Sequence, residues 1–184
     1  MADDLRAAED VYRGLKREGK VSRPLAKIND IHEVDFAEVV GRLQQRFPGE
    51  RIRVLNEGNG KSLFASGLVS VAKGVDLDFI KTDIAHSAQF DVLASPEELV
   101  SKFGRDSFHL VVSTFGGASY TNANAAKAIM NVAEVLKPGG VAYIAIPYFR
   151  MDKELVRLAK NFRNIRIHRY DAGNSTAKFL IRKM

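Results

Sequence analysis

The chain has 184 residues, 46% of them hydrophobic, and a formal net charge of +6. A chain of this length builds one domain with its own core and needs neither disulfides nor a metal for stability. It has no cysteine, which excludes a disulfide framework, a thiolate zinc site, an iron–sulfur cluster and a cysteine nucleophile. The first residues do not resemble a secretion signal, and no apolar run is long enough to span a membrane, so we expect a cytoplasmic protein.

The excess positive charge is confined to one end of the chain. Residues 1–149 carry eighteen Lys and Arg against nineteen Asp and Glu, whereas residues 150–184 carry ten against three. A basic segment of this kind can contact the phosphates of RNA. It can also form a solvated helix and a charged edge strand that prevents sheet pairing. We therefore expect RNA, bound through residues 150–184, as one candidate partner, and a solvated charged surface as the alternative.

Residues 1–49 are predicted to form an N-terminal helical extension. Apolar residues recur at helical spacing within residues 3–18, which predicts a first helix, and residues 19–24 form a break. Asp35 is a typical helix cap, so a second helix is predicted to begin after it and to end at Phe47-Pro-Gly49. The apolar face of this second helix consists of Phe36, Val39, Val40 and Leu43.

From residue 50 onward, strands and helices alternate, which predicts a mostly parallel sheet covered by helices on both faces. The predicted strands cover residues 51–55, 75–83, 89–93, 108–114, 141–146, 165–170 and 177–182. The predicted helices cover residues 62–73, a short segment after Ser95, residues 124–136 and residues 152–162.

A glycine-bearing turn, Asn56-Glu-Gly58-Asn-Gly60-Lys-Ser62, follows the first of these strands. Ligands bind at the carboxyl ends of strands in such sheets, and glycines let the backbone approach them closely. The turn does not fit a P-loop, because Leu55 stands at the position of the first glycine, and it does not fit a dinucleotide motif, because Leu63 stands at the third. Asp83, at the end of the second strand, is placed like an acid that binds ribose hydroxyls. A tight turn without a ligand is the alternative.

Three segments together resemble class I S-adenosylmethionine-dependent methyltransferases. Residues 54–62 are similar to the V-L-D-x-G-x-G-x-G turn of that family, and residues 108–113 (Phe-His-Leu-Val-Val-Ser) to its F-D-L-V-V-S strand. Residues 133–147 are similar to its helix, L-K-P-G-G turn and fifth strand. The resemblance covers residues 50–184. It implies a Rossmann-like three-layer α/β sandwich with a mostly parallel seven-stranded sheet, in which the antiparallel last strand lies beside the fifth.

The resemblance also implies an activity and a site. The activity is methyl transfer from S-adenosylmethionine to a small-molecule substrate or to RNA, which leaves S-adenosylhomocysteine. The N-terminal extension is expected to cap the cofactor. The implied cofactor-binding residues are Asn56, Glu57, Gly58 and Gly60 beneath the methionine part, Asp83 and Ile84 near the ribose, Asp91 or the start of Ala94-Ser95 near the adenine, and Ser113 and Thr114 near the donor methyl. Phe115, Tyr148 and Tyr12 are the candidates for the substrate pocket.

The chain departs from the family pattern at three positions. Asn56 replaces the first acid, Ser62 replaces the third glycine, and His109 replaces the acid of the F-D-L-V-V-S strand. An asparagine can hydrogen-bond but cannot balance the charge of the cofactor's ammonium group. A catalytically inactive binding or scaffold protein with the same fold is therefore an alternative, and a P-loop-like phosphate binder is another. The sequence identifies no general base, and the four histidines lack the spacing of metal ligands.

Overall fold

The computed structural model describes residues 23–60, 62–84, 90–116, 125–147, 163–171 and 176–184. The helices are α1 (Leu25–His32), α2 (Phe36–Arg46), α3 (Phe64–Val71), α4 (Leu99–Phe103) and α5 (Ala125–Val135). The strands are β1 (Ile52–Glu57), β2 (Leu77–Asp83), β3 (Val92–Leu93), β4 (Phe108–Thr114), β5 (Leu136–Pro147), β6 (Ile165–Asp171) and β7 (Thr176–Lys183). The helices predicted over residues 3–18 and 152–162 lie outside the described residues.

The strands form one seven-stranded sheet in the order β3-β2-β1-β4-β5-β7-β6. The β1–β2, β2–β3, β1–β4 and β4–β5 pairs are parallel, whereas β7 pairs antiparallel with both β5 and β6. The predicted mostly parallel sheet, with its last strand inserted antiparallel beside the fifth, is confirmed. The chain order reverses between β1 and β4, which is where open α/β sheets bind their ligands.

Helices cover both faces of the sheet, as predicted. Successive strand residues point to opposite faces, so Val54 and Leu55 enter different cores. Val54 packs in a cluster with α1, α2 and α3, in which Ile28 and Phe36 are buried. Leu55 packs in a second cluster with α4 and α5. Helices α1 and α2, from the predicted extension, therefore share one layer with α3.

Helix α1 was not predicted, because its sequence shows little apolar periodicity. Only two of its side chains are buried, and one of them is the polar His32. The helix begins after Pro24, which is extended, and it ends at Glu33, whose left-handed backbone (φ 53°) lets its N–H donate to the Asn29 and Asp30 carbonyls. Helix α2 follows as predicted, with the Asp35 side chain accepting a hydrogen bond from the Ala37 N–H.

Several predicted boundaries differ from the observed ones. Strand β4 was predicted correctly, but β1 extends two residues further, to Glu57, and β3 has only two residues. Strand β5 begins at Leu136 rather than at residue 141, because Leu136 pairs with Phe108 before the register shifts and Val141 pairs with Leu110. The Lys-Pro-Gly-Gly segment after Leu136, which was predicted to stop the helix, is thus an irregular first part of β5.

Candidate functional site

The turn after β1 is held by its own asparagines. Gly58 (φ 65°) and Gly60 (φ 56°) both adopt the left-handed conformation that favours glycine. Asn56 Nδ2 donates to Asn59 Oδ1 at 2.6 Å, and the Asn59 N–H donates to the Thr82 carbonyl of β2 at 2.9 Å. At the position of the family's first acid, Asn56 therefore uses its amide to shape the turn.

Asp83 lies beside this turn at the end of β2. Its side chain is buried, and Oδ2 accepts a hydrogen bond from the Gly60 N–H at 2.7 Å. A carboxylate only accepts hydrogen bonds and can accept about four, so ligand hydroxyls are suitable donors to it. Ile84, the next residue, is also buried. The structure thus brings together the acid and the glycine turn that the sequence analysis selected.

Of the two positions expected near the adenine, Ala94 rather than Asp91 contacts Asp83. The Ala94 N–H donates to the Asp83 carbonyl at 3.1 Å. Asp91 pairs with Lys81, two residues before Asp83 on β2: its Oδ2 accepts from the Lys81 N–H at 2.9 Å, and its Oδ1 lies 3.2 Å from Lys81 Nζ. Asp91 therefore lies further than Ala94 from the carboxyl end of β2, where the ligand edge of the sheet begins.

Glu57 and Ser113 form a buried pair between β1 and β4. They are opposite each other in the parallel register, and Ser113 Oγ donates to Glu57 Oε2. Gly116 packs directly over this pair. A Cβ on Gly116 would lie 2.7 Å from the Glu57 carbonyl oxygen and 2.8 Å from Ser113 Oγ, so the close approach requires glycine.

Thr114 ends β4 and Phe115 follows it, and both contact the start of the described chain. Arg23 Nη1 donates to the Thr114 carbonyl at 3.3 Å, and the Arg23 guanidinium lies 5.6 Å from the Phe115 ring centre. Phe115 has a left-handed backbone (φ 54°) and donates its N–H to the Ala145 carbonyl. The Arg23 carbonyl accepts from the Leu63 N–H at 3.0 Å, which ties the same segment to the residues after the glycine turn.

His32, which was not predicted to be a site residue, contacts the same end of β4. Its Nε2 lies 2.8 Å from Thr114 Oγ1, and the ring is 1% exposed. Burial, reinforced by the nearby Lys178 cation, lowers the pKa of His32 to about 3, so the ring is neutral at physiological pH. The sequence around His32 gives no sign of this role, because its partner lies 82 positions away on β4 and His32 itself lies on a helix that was not predicted.

His109, by contrast, lies away from this edge. It is the second residue of β4, where its Nδ1 accepts from the Arg53 N–H and its Nε2 lies 3.2 Å from Glu50 Oε2. Burial lowers the pKa of His109, and the hydrogen bond to Glu50 opposes this shift. The residue that replaces the family's acid therefore joins β4 to β1 at the opposite end of the sheet.

The candidate site thus consists of the residues at the carboxyl ends of β1, β2 and β4. It includes Asn56, Glu57, Gly58, Gly60, Asp83, Ser113, Thr114 and Phe115. Tyr12 and Tyr148 lie outside the described residues. Across the described ranges, no group of three or more His, Asp or Glu is arranged to hold a metal ion. No helix in that part of the chain is both long and apolar enough to cross a membrane.

A separate cleft of about 500 Å³ lies beside the junction of α1 and α2. It is lined by Asn29, Asp30, Glu33, Val34 and Asp35. None of these residues belongs to the candidate site, although Glu33 directly follows His32.

No protein-family model matches the sequence, and no curated protein sequence matches it. Solved structures do match the fold. A candidate rRNA methylase from Clostridium thermocellum is 16% identical, with a TM-score of 0.56 over 81% of this chain and 97% of that one. A candidate S-adenosylmethionine-dependent methyltransferase from Methanococcus maripaludis is 14% identical, with a TM-score of 0.56 over 98% and 94% of the two chains.

A TehB-like S-adenosylmethionine-dependent methyltransferase from Corynebacterium glutamicum is 15% identical to this chain. The two chains match over their whole lengths, with a TM-score of 0.55. The order of the strands, the antiparallel β7 and these similarities agree with one another. The chain therefore has the Rossmann-like fold of class I S-adenosylmethionine-dependent methyltransferases.

Proposed function

We propose that the chain binds S-adenosylmethionine at the carboxyl ends of β1, β2 and β4 and transfers its methyl group to a small molecule or to RNA. The observation that carries this proposal is the contact between the Gly60 N–H and the buried Asp83 carboxylate. It joins a left-handed glycine turn, which a ligand can approach closely, to an acid at the carboxyl end of β2, which can accept hydrogen bonds from the ribose hydroxyls of an adenosine ligand.

The residues present fit such a cofactor. Gly58 and Gly60 would let the backbone pass beneath its methionine part, and Asp83 would accept hydrogen bonds from the ribose hydroxyls. Ser113 and Phe115 would lie beside the donor methyl, and Thr114 would lie between the donor methyl and the amino-acid group. When bound, the cofactor supplies an electrophilic methyl group on a sulfonium. The chain's own residues hold the acceptor in line with that methyl and exclude water, which accounts for much of the catalysis such a transfer needs.

The segment around α1 supports the expectation that the N-terminal extension caps the site. Arg23 contacts both the end of β4 and the residues after the glycine turn, and His32 contacts Thr114. A ligand lying between these strand ends would be covered by this segment.

Calorimetric titration with S-adenosylmethionine, S-adenosylhomocysteine and ATP tests the proposal. We expect binding of the two methionine-derived ligands and none of ATP. If neither methionine-derived ligand binds, the methyltransferase proposal fails and a binding or scaffold role for the fold takes its place. If only ATP binds, the glycine turn is a phosphate site.

The position of Asp83 is tested by substitution. Asp83→Asn removes the charge while keeping the shape of the side chain. It should weaken S-adenosylhomocysteine binding by about 1–3 kcal/mol, as expected for a lost charge-assisted hydrogen bond. Asp78→Asn is the matched control, because Asp78 lies near the other end of β2 and pairs with Arg53 at 3.1 Å. Equal affinities in both variants would show that Asp83 does not hold the ribose.

RNA as the acceptor is supported by the charges of the last two strands. Arg166 of β6 and Arg182 of β7 are paired in the antiparallel register, and both side chains are exposed. Like charges directly opposite each other destabilise a sheet, and an anionic partner relieves this repulsion. The description of the Clostridium thermocellum neighbour as an rRNA methylase agrees with this choice.

A further inference from the structure

The contact between His32 and Thr114 joins the last residue of α1 to the last residue of β4. Thr114 is itself buried, and it lies at the ligand edge of the sheet. The Phe36 and Tyr143 rings meet the His32 ring edge-on, with ring centres 5.6 and 6.2 Å away. The His32 carbonyl accepts a hydrogen bond from the Tyr170 hydroxyl at 3.2 Å. Packing and hydrogen bonding thus hold this imidazole in one orientation.

The two ring nitrogens of His32 have different surroundings. Nε2 is hydrogen-bonded to Thr114 Oγ1, whereas the buried Nδ1 has no hydrogen-bond partner among the described residues. A neutral imidazole carries one N–H, and a buried N–H without an acceptor costs more than a buried lone pair without a donor. The proton therefore belongs on Nε2, which donates to Thr114 Oγ1.

This tautomer determines what the threonine hydroxyl can do. Because Oγ1 accepts the hydrogen bond from His32, its own proton is available for a second partner. Arg23 donates to the Thr114 carbonyl, so its guanidinium is the cation that contacts Thr114 directly. Lys178 also lies close enough to His32 to disfavour a charged ring, although its ammonium group is paired with Glu33 at 2.6 Å. A donor hydroxyl beside the Arg23 cation suits an anionic oxygen.

We propose that His32 is a positioning residue that fixes Thr114 as a hydrogen-bond donor to a carboxylate of the bound ligand. On the proposed function, that carboxylate belongs to the amino-acid group of the cofactor. Thr114 thereby distinguishes the complete cofactor from an adenosine ligand that lacks a carboxylate. This assignment rests on the proposed function, but the state of the His32 ring does not.

The ring state is tested in the ligand-free protein by long-range proton–nitrogen NMR of the histidine side chains, with His32→Gln used to assign the signal. We expect a neutral ring with its proton on Nε2 throughout the range from pH 5 to pH 8. A proton on Nδ1, or a charged ring, would overturn the proposal whether or not any cofactor binds.

The carboxylate is tested by titrating four variants with S-adenosylhomocysteine and with 5′-methylthioadenosine, which lacks the amino-acid group. Thr114→Val and His32→Phe remove one partner each while keeping the volume similar. They should weaken S-adenosylhomocysteine binding roughly ten-fold or more, as for a lost hydrogen bond to a charged group. Thr114→Ser and His32→Gln keep a donor in place and should bind close to wild type.

Binding of 5′-methylthioadenosine should be the same in all four variants. Weaker binding of both ligands in Thr114→Val would mean a general distortion of the site, and unchanged binding of both would mean that Thr114 does not meet the carboxylate. Either result overturns the assignment. If the wild-type protein binds neither ligand, the proposed function and the carboxylate assignment both fail, and the NMR result still decides the ring state.

Discussion

His32 links the burial of one side chain to the stability of the whole protein. An unfolded histidine has a pKa of about 6.5, whereas burial and Lys178 lower the folded value to about 3. Between these values the unfolded chain binds more protons than the folded one. The stabilisation is therefore complete above about pH 6.5 and is lost progressively as the pH falls towards 3.

We predict that the free energy of unfolding falls between pH 7 and pH 5 by about 2 kcal/mol more in the wild-type protein than in His32→Gln. The variant lacks the titrating ring, and both proteins share every other ionisable group. Urea unfolding at the two pH values measures the difference. An equal loss of unfolding free energy in the two proteins would mean that His32 has the same pKa in the folded and the unfolded chain.

Some site residues could be predicted individually and others could not. Gly58, Gly60 and Asp83 follow from fixed spacings along single strand–turn units, and the structure brings them together. The role of Asn56 within its turn depends on Asn59, three residues away, and could have been inferred from the sequence. His32 could not, since its partner lies on a distant strand and polar side chains are rarely buried.

At the scale of elements, Gly67 determines how closely α1 and α3 pack. It lies inside α3, and a Cβ added there would lie 2.8 Å from Leu25 Cβ of α1. Gly41, in α2, is the natural comparison, because a Cβ added there would meet nothing within 4 Å. Both sites are helical, so both gain the same intrinsic helix propensity from alanine, and only Gly67 adds a steric conflict.

We predict that Gly41→Ala raises the unfolding free energy by about 0.5–1 kcal/mol, the usual gain for this substitution in a helix. Gly67→Ala should lower it, since overpacking costs about 1–3 kcal/mol and exceeds that gain. Urea unfolding of the two variants gives both values. Equal stabilisation by the two substitutions would show that α1, which carries His32, can move away from α3 at little cost in free energy.

The helices and strands were predicted best where the pattern of apolar residues alone determines the structure. The bounds of β4 are correct because its predominantly apolar sequence fits a central strand buried on both faces. The start of β5 was misplaced because proline and glycine normally end a helix, whereas here they form an irregularity within a strand. Helix α1 was missed because a histidine occupies one of its buried positions.

At the scale of the whole molecule, periodicity predicted an α/β sheet, and the order of its strands came from the family resemblance. Nothing in the local pattern specifies that β7 lies between β5 and β6, because this pairing depends on contacts between distant segments. The same pairing determines which face of the sheet carries the positive charges of β6 and β7. On β6 and β7, Ile165, Ile167 and Ile181 pack in the core, while Arg166, His168 and Arg182 are exposed.

We predict that Arg182→Glu weakens the binding of single-stranded RNA. The slope of log K against log[salt] should become shallower by about one, which is the contribution of one phosphate contact. It should also raise the melting temperature, because an Arg–Glu pair replaces two opposed arginines. Fluorescence anisotropy over a salt series and thermal unfolding measure the two effects. Lys73→Glu, at an exposed position after α3, changes the net charge equally and should leave the slope unchanged. An equal loss of RNA affinity in both variants, or an RNA affinity that does not depend on the salt concentration, would mean that this face of β6 and β7 is a charged edge without a nucleic-acid partner.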